Sequence, residues 1–167
     1  IHEVVVVDDG STDNSLDLVS DVLEQCVVVR HNENKGVAAA SNSGLSVAQG
    51  SYWMRVDADD YLSQFALQYM AAILDANPNI GFVTADHSRV SPGGKTVEVV
   101  SLQGDEALLH HGAGVLFRRH ILEDVGGYDE ALQNGEDYDL ISRLMAAGIS
   151  RFHLPIPLYR YFKQTDG

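Results

Sequence analysis

The chain has 167 residues, of which 45% are hydrophobic, and its mean hydropathy is −0.08. This composition fits one folded globular domain and excludes a disordered chain. The 11 Lys and Arg against 24 Asp and Glu give a net charge of −13. We therefore expect no nucleic-acid partner, because binding to nucleic-acid phosphates needs a basic face. No apolar run approaches the ~20 residues of a membrane span, although peripheral association with a membrane stays open.

Strands and helices alternate in the first half of the predicted pattern. Four consecutive valines at positions 4–7 indicate a buried strand, and a second strand is predicted over residues 26–29, with a helix around residues 16–23 between them. The next predicted elements are a helix over residues 37–48, a strand over 52–56, a helix over 65–74 and a strand over 80–85. Such alternation predicts an α/β fold with a mostly parallel central sheet flanked by helices.

The second half of the chain is less regular. We expect a strand over residues 96–102 on a small secondary sheet. The later predicted elements are a strand over residues 114–117, a helix over 119–125, an amphipathic helix over 136–147 closed by Gly148, and strands over 151–154 and 158–162 separated by Pro155 and Pro157. No repeat or linker divides the chain, so one domain over residues 1–167 is predicted.

Acidic residues follow two of the predicted strands and open one predicted helix. They are Asp8 with Asp9, Asp57 with Asp59 and Asp60, and Glu136 with Asp137. Because ligands of open α/β sheets bind beyond the carboxyl ends of strands, we expect the three clusters to face one crevice. Asp57 and Asp59 are two positions apart, a spacing at which both can reach one Mg²⁺ or Mn²⁺. Taken singly, each cluster is also explained by a solvated turn, a helix cap or a first helical turn.

Five motifs, taken in order, resemble a family 2 glycosyltransferase of the GT-A fold. They are Asp8-Asp9-Gly10-Ser11, Asn34-Lys35-Gly36, Asp57-Ala58-Asp59-Asp60, Gly127-Tyr128-Asp129-Glu130 and Gly135-Glu136-Asp137. The resemblance covers nearly the whole chain. It implies an inverting enzyme that moves a sugar from a nucleotide-diphosphate donor, expected to be a UDP-sugar, to an acceptor hydroxyl. The acceptor stays open among carbohydrate, lipid-linked and protein hydroxyls, and the small secondary sheet is expected near it.

The resemblance also implies how the donor is bound. Asp8 and Asp9 match the family segment that contacts the base and ribose, and Asp57 is a further nucleotide-binding candidate. Asp59 matches the acid that holds Mn²⁺ or Mg²⁺ on the diphosphate. Lys35 is a candidate phosphate contact, although a loop lysine is more often simply solvated.

Asp137 matches the acid that serves as general base for the acceptor hydroxyl, and Glu136 is the second catalytic candidate. The N-terminus of the predicted helix and the neighbouring Glu136 have opposite effects on the pKa of Asp137. The positive end of the helix would lower the pKa of Asp137, whereas the charge of Glu136 would raise it. The sequence does not decide which of these two effects on the pKa of Asp137 is larger.

Two other functions remain open at this point. A sugar nucleotidyltransferase shares a nucleotide-binding α/β layout and metal use, and a descendant of a transferase could bind sugars or nucleotides without catalysis. The presence of Asp59 and Asp137 together disfavours a binding module, which needs no general base.

Further expectations concern the ends of the chain, Cys26 and two pairs of polar residues. The family usually begins with a strand and a helix upstream of Asp8, so we expect the chain to lack both, and a C-terminal extension is possible. The single Cys26 cannot form an intrachain disulfide, which is compatible with a reducing compartment, and we expect a cytoplasmic location. Arg143 is expected to pair with Asp139, and the His110-His111 pair is a candidate for the acceptor side or for a metal.

Overall fold

The computed structural model describes residues 3–91, 94–104 and 112–162. Its helices are α1 (Ser15–Leu18), α2 (Ser20–Leu23), α3 (Val37–Val47), α4 (Ala66–Ala76), α5 (Arg119–Asp124) and α6 (Glu136–Ala146). Its strands are β1 (Val5–Asp8), β2 (Val27–Arg30), β3 (Tyr52–Trp53), β4 (Tyr61–Leu62), β5 (Ile80–Val90), β6 (Thr96–Val100), β7 (Leu116–Arg118) and β8 (Ser150–Phe162). The His110-His111 pair lies outside the described residues.

The strands form two sheets. β1 and β2 pair in parallel, with Val5 opposite Val27, as a small two-stranded sheet. The larger sheet has the strand order β3-β7-β5-β8-β4, and β6 joins it alongside β5. The alternation of strands and helices in the first half of the chain is confirmed, and with it the α/β organisation.

The central sheet is mixed, so the prediction of a mostly parallel sheet was wrong. β5 and β8 run parallel, whereas β6 and β7 pair antiparallel with β5, and β4 pairs antiparallel with β8. Strand–helix alternation stops at β5, and β6 follows it through a turn in which Ser91 donates to the Lys95 carbonyl. A short turn joins antiparallel neighbours only. β6 therefore belongs to the central sheet, and the small separate sheet predicted around residues 96–102 is formed by β1 and β2 instead.

β1 is half-buried along its whole length rather than buried on both faces. One face is covered by α3, where the small Gly44 lets the helix approach closely. A Cβ at that position would lie 3.2 Å from Val7 Cγ2 and 3.9 Å from Val5 Cγ1. Within the described residues β1 pairs with β2 alone, which accounts for the lower burial.

β8 is one continuous strand, although its two prolines had suggested a break. The register with β5 jumps from Leu154, opposite Ala85, to Pro157, opposite Asp86. Pro155 and Ile156 are left out of the ladder by this bulge, and both are exposed. A bulge is a place where proline costs no ladder hydrogen bond.

Buried side chains cover both faces of the central sheet. Phe82 and Phe117 pack on one face with α5 and α6, and their rings stack at a centroid distance of 5.5 Å. Val83 and Leu116, the next residues along those strands, pack on the other face with α4. The period-2 alternation of strand side chains explains the two layers. Among the described residues, no helix is both long and apolar enough to cross a membrane.

Candidate active site

Arg55 lies at the centre of the candidate site, two residues after β3. Its side chain is 11% exposed and meets carboxylates from two parts of the chain. Nη1 donates to Glu136 Oε1 at 3.1 Å and Nη2 donates to Asp137 Oδ2 at 2.9 Å. Nε lies 3.0 Å from Asp57 Oδ1 in an ion pair. Two of the three predicted acidic clusters are therefore brought together by one guanidinium.

The first turn of α6 carries Glu136 and Asp137 into this cluster. Gly135 precedes the helix with φ of +79°, a left-handed conformation that favours glycine, and so lets the chain turn directly into the helix. Leu140 and Leu144 anchor the buried face of α6, and the helix ends before Gly148, which has φ of +72°. Asp137 is thus held on a rigid, packed element.

The Asp137 carboxylate is enclosed and only partly satisfied. Its side chain is 19% exposed, and the atom Oδ1 is buried without a hydrogen-bond partner in the described part of the chain. Burial raises the pKa of Asp137, Arg55 lowers it and the charge of Glu136 raises it again, so that the net pKa lies above the ordinary value. The balance left open by the sequence is therefore decided mainly by burial. An aspartate with a raised pKa is a better proton acceptor once it is ionised.

Gly112 lies directly against this carboxylate. A Cβ built on Gly112 would overlap Cγ and Oδ1 of Asp137, so the carboxylate occupies the space that a side chain at position 112 would fill. Two residues later, Gly114 packs against the Tyr159 ring and its N–H donates to the Arg55 carbonyl at 3.0 Å. The segment before β7 therefore touches both sides of the site.

Tyr128 borders Arg55 on another side. The Arg55 Cζ atom lies 5.8 Å from the centroid of the Tyr128 ring, within the range of a cation–π contact. The Tyr128 hydroxyl is buried and has no hydrogen-bond partner among the described residues. Burial raises the pKa of the phenol, Arg55 opposes that effect, and Asp137 adds to it.

Residues 57–60 form a turn, called here the acidic turn, in which Asp60 N–H donates to the Asp57 carbonyl at 3.0 Å. The Tyr159 hydroxyl donates to Asp60 Oδ2 at 2.6 Å and accepts from Asp57 N–H at 3.3 Å. The Phe162 N–H donates to Asp60 Oδ1 at 2.7 Å. Asp60 is therefore occupied in fixing the turn to β8. Burial raises the pKa of Asp57, Arg55 lowers it, and the charges of its acidic neighbours raise it further, to a value above the ordinary one.

Asp59 is the exposed acid of this turn. It makes no hydrogen bond or ion pair with another of the residues described. No group of three or more His, Cys, Asp or Glu side chains in the described ranges could hold a metal ion by itself. Mg²⁺ and Mn²⁺ take much of their coordination from water and substrate phosphates, with one or two protein carboxylates. Asp59, with Asp57 close by, fits a cation that binds together with a diphosphate.

Asp8 and Asp9 end β1, in the small sheet. Asp9 accepts three hydrogen bonds that fix the loop before α3, from His31 Nδ1 at 2.6 Å, from Lys35 N–H at 2.9 Å and from Gly36 N–H at 2.8 Å. Burial raises the pKa of Asp9, but these hydrogen bonds together lower it below its ordinary value. Both oxygens of Asp9 are thus used within the fold, and the nucleotide-binding role predicted for it stays a prediction.

Asp8 and Lys35 are more open than Asp9. Asp8 Oδ1 accepts from Ser11 N–H at 2.9 Å, and hydrogen bonds from Ser11 lower the pKa of Asp8. The Lys35 backbone is held by Asp9 and the residue is exposed. In the described residues, no hydrogen bond or ion pair links Asp8, Lys35 or Asp59 to the Arg55 cluster, so their roles as donor contacts also stay predictions.

Three residues of the site, Arg55, Tyr159 and Gly112, were not predicted from the sequence. Arg55 is a charged residue in an apolar stretch two positions before Asp57, and a buried charge needs a partner. Tyr159 and Gly112 contact the site only through tertiary packing, which no spacing pattern reports. Arg143, by contrast, donates to Asp139 at 2.8 Å as expected, and its other hydrogen bonds reach the carbonyls of Val125 and Gly127.

Comparison with known proteins identifies the family. Residues 1–126 match the sequence model of glycosyl transferase family 2. The chain belongs to this family. Relatives include the succinoglycan biosynthesis protein ExoU of Rhizobium meliloti, 33% identical over 87% of this chain and 49% of its own length. The chondroitin synthase of Pasteurella multocida is 31% identical over 87% of this chain and 16% of its own length. The chain thus spans half or less of the length of these two relatives.

Solved structures support the GT-A-like fold that the resemblance implied. S. aureus TarS 1–349 in complex with UDP-GlcNAc superposes with a TM-score of 0.81 at 24% identity, covering 99% of this chain and 50% of that one. The mannosyltransferase PcManGT from Pyrobaculum calidifontis, in complex with GDP-Man and Mn²⁺, gives a TM-score of 0.74 at 22% identity, covering 95% and 47%. The family and fold predicted from the five motifs are confirmed.

Proposed function

We propose that this family 2 domain transfers a sugar from a nucleotide-diphosphate donor to an acceptor hydroxyl, with Asp137 as the general base. The observation that carries the proposal is the set of contacts around the Asp137 carboxylate. It is held by Arg55 through Oδ2, it is enclosed by Gly112, and Oδ1 has no partner among the described residues. A structural carboxylate in such a place would be expected to have both oxygens bonded.

The chemistry assigned to Asp137 is a single displacement. The acceptor oxygen forms a bond to the anomeric carbon while the bond from that carbon to the diphosphate oxygen breaks, and the hydroxyl proton passes to the Asp137 carboxylate. One displacement inverts the anomeric configuration. A general base of this kind contributes about 10²–10⁴-fold to the rate.

We infer that the donor binds at the acidic turn with a divalent cation. Asp59 is exposed and its carboxylate is unbonded within the described chain, and the carboxylate of Asp57, close by, pairs with Arg55 alone among the described residues. TarS with UDP-GlcNAc and PcManGT with GDP-Man and Mn²⁺ share this fold, which supports a nucleotide-sugar donor and Mn²⁺ here. A bound Mn²⁺ or Mg²⁺ would neutralise charge on the diphosphate. In a chain of net charge −13, a diphosphate needs such a cation or a few local donors.

We propose a carbohydrate as the acceptor. ExoU is named for succinoglycan biosynthesis and the Pasteurella multocida relative is named a chondroitin synthase, both of which concern polysaccharides. The acceptor hydroxyl would approach Asp137, at the first turn of α6.

The test is a donor panel of UDP-GlcNAc, UDP-glucose and GDP-mannose with Mn²⁺ or EDTA, read as release of the nucleoside diphosphate. We expect release with at least one donor, loss in EDTA, and a fall of about 10²-fold or more in Asp137→Asn. Asp139→Asn, on the same helix turn but paired with Arg143, is the matched control and should keep its activity.

Two results would contradict the proposal. Pyrophosphate-dependent exchange of the nucleotide would indicate a nucleotidyltransferase, and donor binding without turnover would indicate a binding module. For the cation, calorimetry of UDP binding with and without Mn²⁺ should show an affinity gain that Asp59→Asn reduces by about tenfold or more. Asp21→Asn, an exposed acid on α2, should leave that gain intact.

A further inference from the structure

The buried side chain of Arg55 contacts both halves of the candidate site. Asp57 belongs to the acidic turn, where the donor is proposed to bind, and Asp137 is the proposed base for the acceptor. These two acids are 80 positions apart in the chain, yet one guanidinium lies 3.0 Å from the first and 2.9 Å from the second. Glu136 takes a third contact at 3.1 Å.

The positive charge of Arg55 is needed to stabilise the ionised forms of both Asp57 and Asp137. Three carboxylates surround a single guanidinium, so the group keeps a net charge of −2 when all of them are ionised. Burial is the largest influence on both Asp57 and Asp137 and favours their neutral forms. Arg55 is the largest opposing influence on each. Removing it would leave three carboxylates without their shared counter-ion, of which Glu136 and Asp137 are the more enclosed.

The shape of the guanidinium also matters. Its two Nη atoms donate to separate acids on α6, while Nε faces the acidic turn, so the planar group fixes an angle as well as a distance. The Tyr128 ring at 5.8 Å from Cζ limits its movement. A lysine ammonium is a compact charge without this fixed fork and cannot hold the same arrangement.

We propose that Arg55 is a positioning residue that holds the Asp137 base in a fixed place relative to the donor turn at Asp57. This inference rests on the proposed transferase function. Arg55 acts through Asp137 and Asp57, and it requires no contact of its own with the sugar. Misplacing a catalytic group by about 1 Å can cost about 10²-fold in rate.

The first test separates turnover from donor binding. Arg55→Lys keeps the charge but loses the fork, and we expect kcat to fall about 10–100-fold, while the donor KM changes less than about threefold. Arg89→Lys is the matched control, because Arg89 forms an exposed pair with Glu98 between β5 and β6, and no hydrogen bond or ion pair among the described residues links it to Arg55. That control should keep both constants. A loss confined to the donor KM, or no loss at all, would overturn the proposal.

The second test asks whether Arg55 acts through Asp137. In an Asp137→Asn background, Arg55→Lys should lower kcat by less than about threefold further, since residues that act as one unit are non-additive. If the two losses multiply instead, Arg55 has a role independent of Asp137 and the proposal fails. In Arg55→Ala, added guanidinium should restore part of kcat, and the same addition to Asp137→Asn should restore none.

A third readout does not depend on activity. The shifts in urea midpoint caused by Arg55→Lys and Asp137→Asn should be non-additive when combined, whereas Arg89→Lys and Asp137→Asn should add. Additive shifts for Arg55 and Asp137 would contradict the positioning contact itself. A wild-type protein that turns over no donor would instead contradict the proposed function, so the two failures are distinguishable. Arg55→Lys is preferred for these measurements because the alanine variant leaves buried carboxylates unpaired and can fail to fold.

Discussion

Gly112 and Asp137 are packed so closely that the Asp137 carboxylate fills the space in which a side chain at position 112 would lie. The two residues come from different elements, the segment before β7 and the first turn of α6. Asp137 cannot stay where it is if position 112 gains a side chain.

Gly112→Ala is therefore expected to displace the proposed base. Overpacking of this kind costs about 1–3 kcal/mol in stability, and a displaced base should lower kcat by about 10²-fold. Donor affinity should change less than kcat, because the atoms nearest to a Cβ at position 112 belong to Asp137 rather than to the acidic turn. Steady-state kinetics and a urea unfolding curve measure both effects.

The matched control for that variant is Gly104→Ala. A Cβ on Gly104 meets none of the described residues within 4 Å, and its backbone is not in the left-handed region. It should leave kcat and stability unchanged. Equal activity in Gly112→Ala and Gly104→Ala would show that Asp137 need not occupy its observed position.

The raised pKa of Asp137 predicts how activity and stability depend on pH. The base must be ionised, so the acid limb of the kcat/KM profile should lie above the ordinary Asp pKa of about 3.9. The fold favours the protonated form of this group. Its contribution to stability is therefore complete below the unfolded-state pKa and is lost as the pH rises through the folded-state pKa.

The difference in Tm between the wild type and Asp137→Asn isolates this contribution. Asn keeps the shape but cannot ionise, so the wild type should lose stability relative to the variant as the pH rises from about 4 towards neutrality. Asp139→Asn, which removes an acid of the same helix turn that is paired with Arg143, serves as the comparison. A Tm difference that is constant over this range would contradict the assigned pKa direction.

The sequence predicted the parts of the site that depend on local chemistry. The positions of Asp57 and Asp59 after a strand, and of Asp137 at the first turn of a helix, follow from period, turn residues and motif order, whereas their roles stay predictions. α6 begins at Glu136 and ends before Gly148 as expected, because apolar spacing and glycine at the helix end are encoded nearby in the chain.

The tertiary contacts of the site could not be predicted in the same way. The link from Arg55 to Asp137 spans 82 residues, and the contact of Gly112 with Asp137 depends on the path of the chain before β7. Strand–helix alternation predicts a mostly parallel sheet, but it says nothing about β6 and β7, which have no helix between them and β5 in the described chain. The orientation of these strands depends on the length of the connection from β5 and on which edge of β5 is free to pair.

Asp9 is expected to stabilise the loop before α3. Asp9→Ala would leave the Lys35 N–H without its acceptor and the Gly36 N–H with Asn34 Oδ1 alone, at a cost of about 1–3 kcal/mol by urea unfolding. The pKa of Asp9 is lowered in the fold, so this stability is present above the unfolded-state pKa and is lost as the pH falls through the folded-state pKa. Asp21→Ala, at an exposed position, should cost almost nothing.

The same variant tests the nucleotide-binding role predicted for Asp9. If Asp9→Ala is as stable as Asp21→Ala but binds UDP more weakly, Asp9 contacts the nucleotide directly and its hydrogen bonds to the loop are incidental. If stability falls, weaker UDP binding is expected to follow from the displaced loop, and Asp9→Asn, which keeps one acceptor oxygen, should show a smaller loss of both.

Two tyrosines at the site are expected to respond oppositely to loss of the hydroxyl. The Tyr159 hydroxyl bonds Asp60 Oδ2 and Asp57 N–H, so Tyr159→Phe should lower the free energy of unfolding by about 1–3 kcal/mol. The Tyr128 hydroxyl is buried without a partner in the described part of the chain, so its removal should leave stability unchanged or raise it. Both variants keep the aromatic ring, and in Tyr128→Phe the ring still faces Arg55.

Thermal unfolding of the two variants checks this contrast under one set of conditions. For a chain of this length, each 1 kcal/mol corresponds to a Tm shift of about 2–4 °C. Tyr159→Phe should unfold at a lower temperature than the wild type, and Tyr128→Phe at an equal or higher one. A clear drop in Tm for Tyr128→Phe would mean that its hydroxyl has a stabilising partner in solution. In that case the enclosure around Arg55 and Asp137 differs from the arrangement described here.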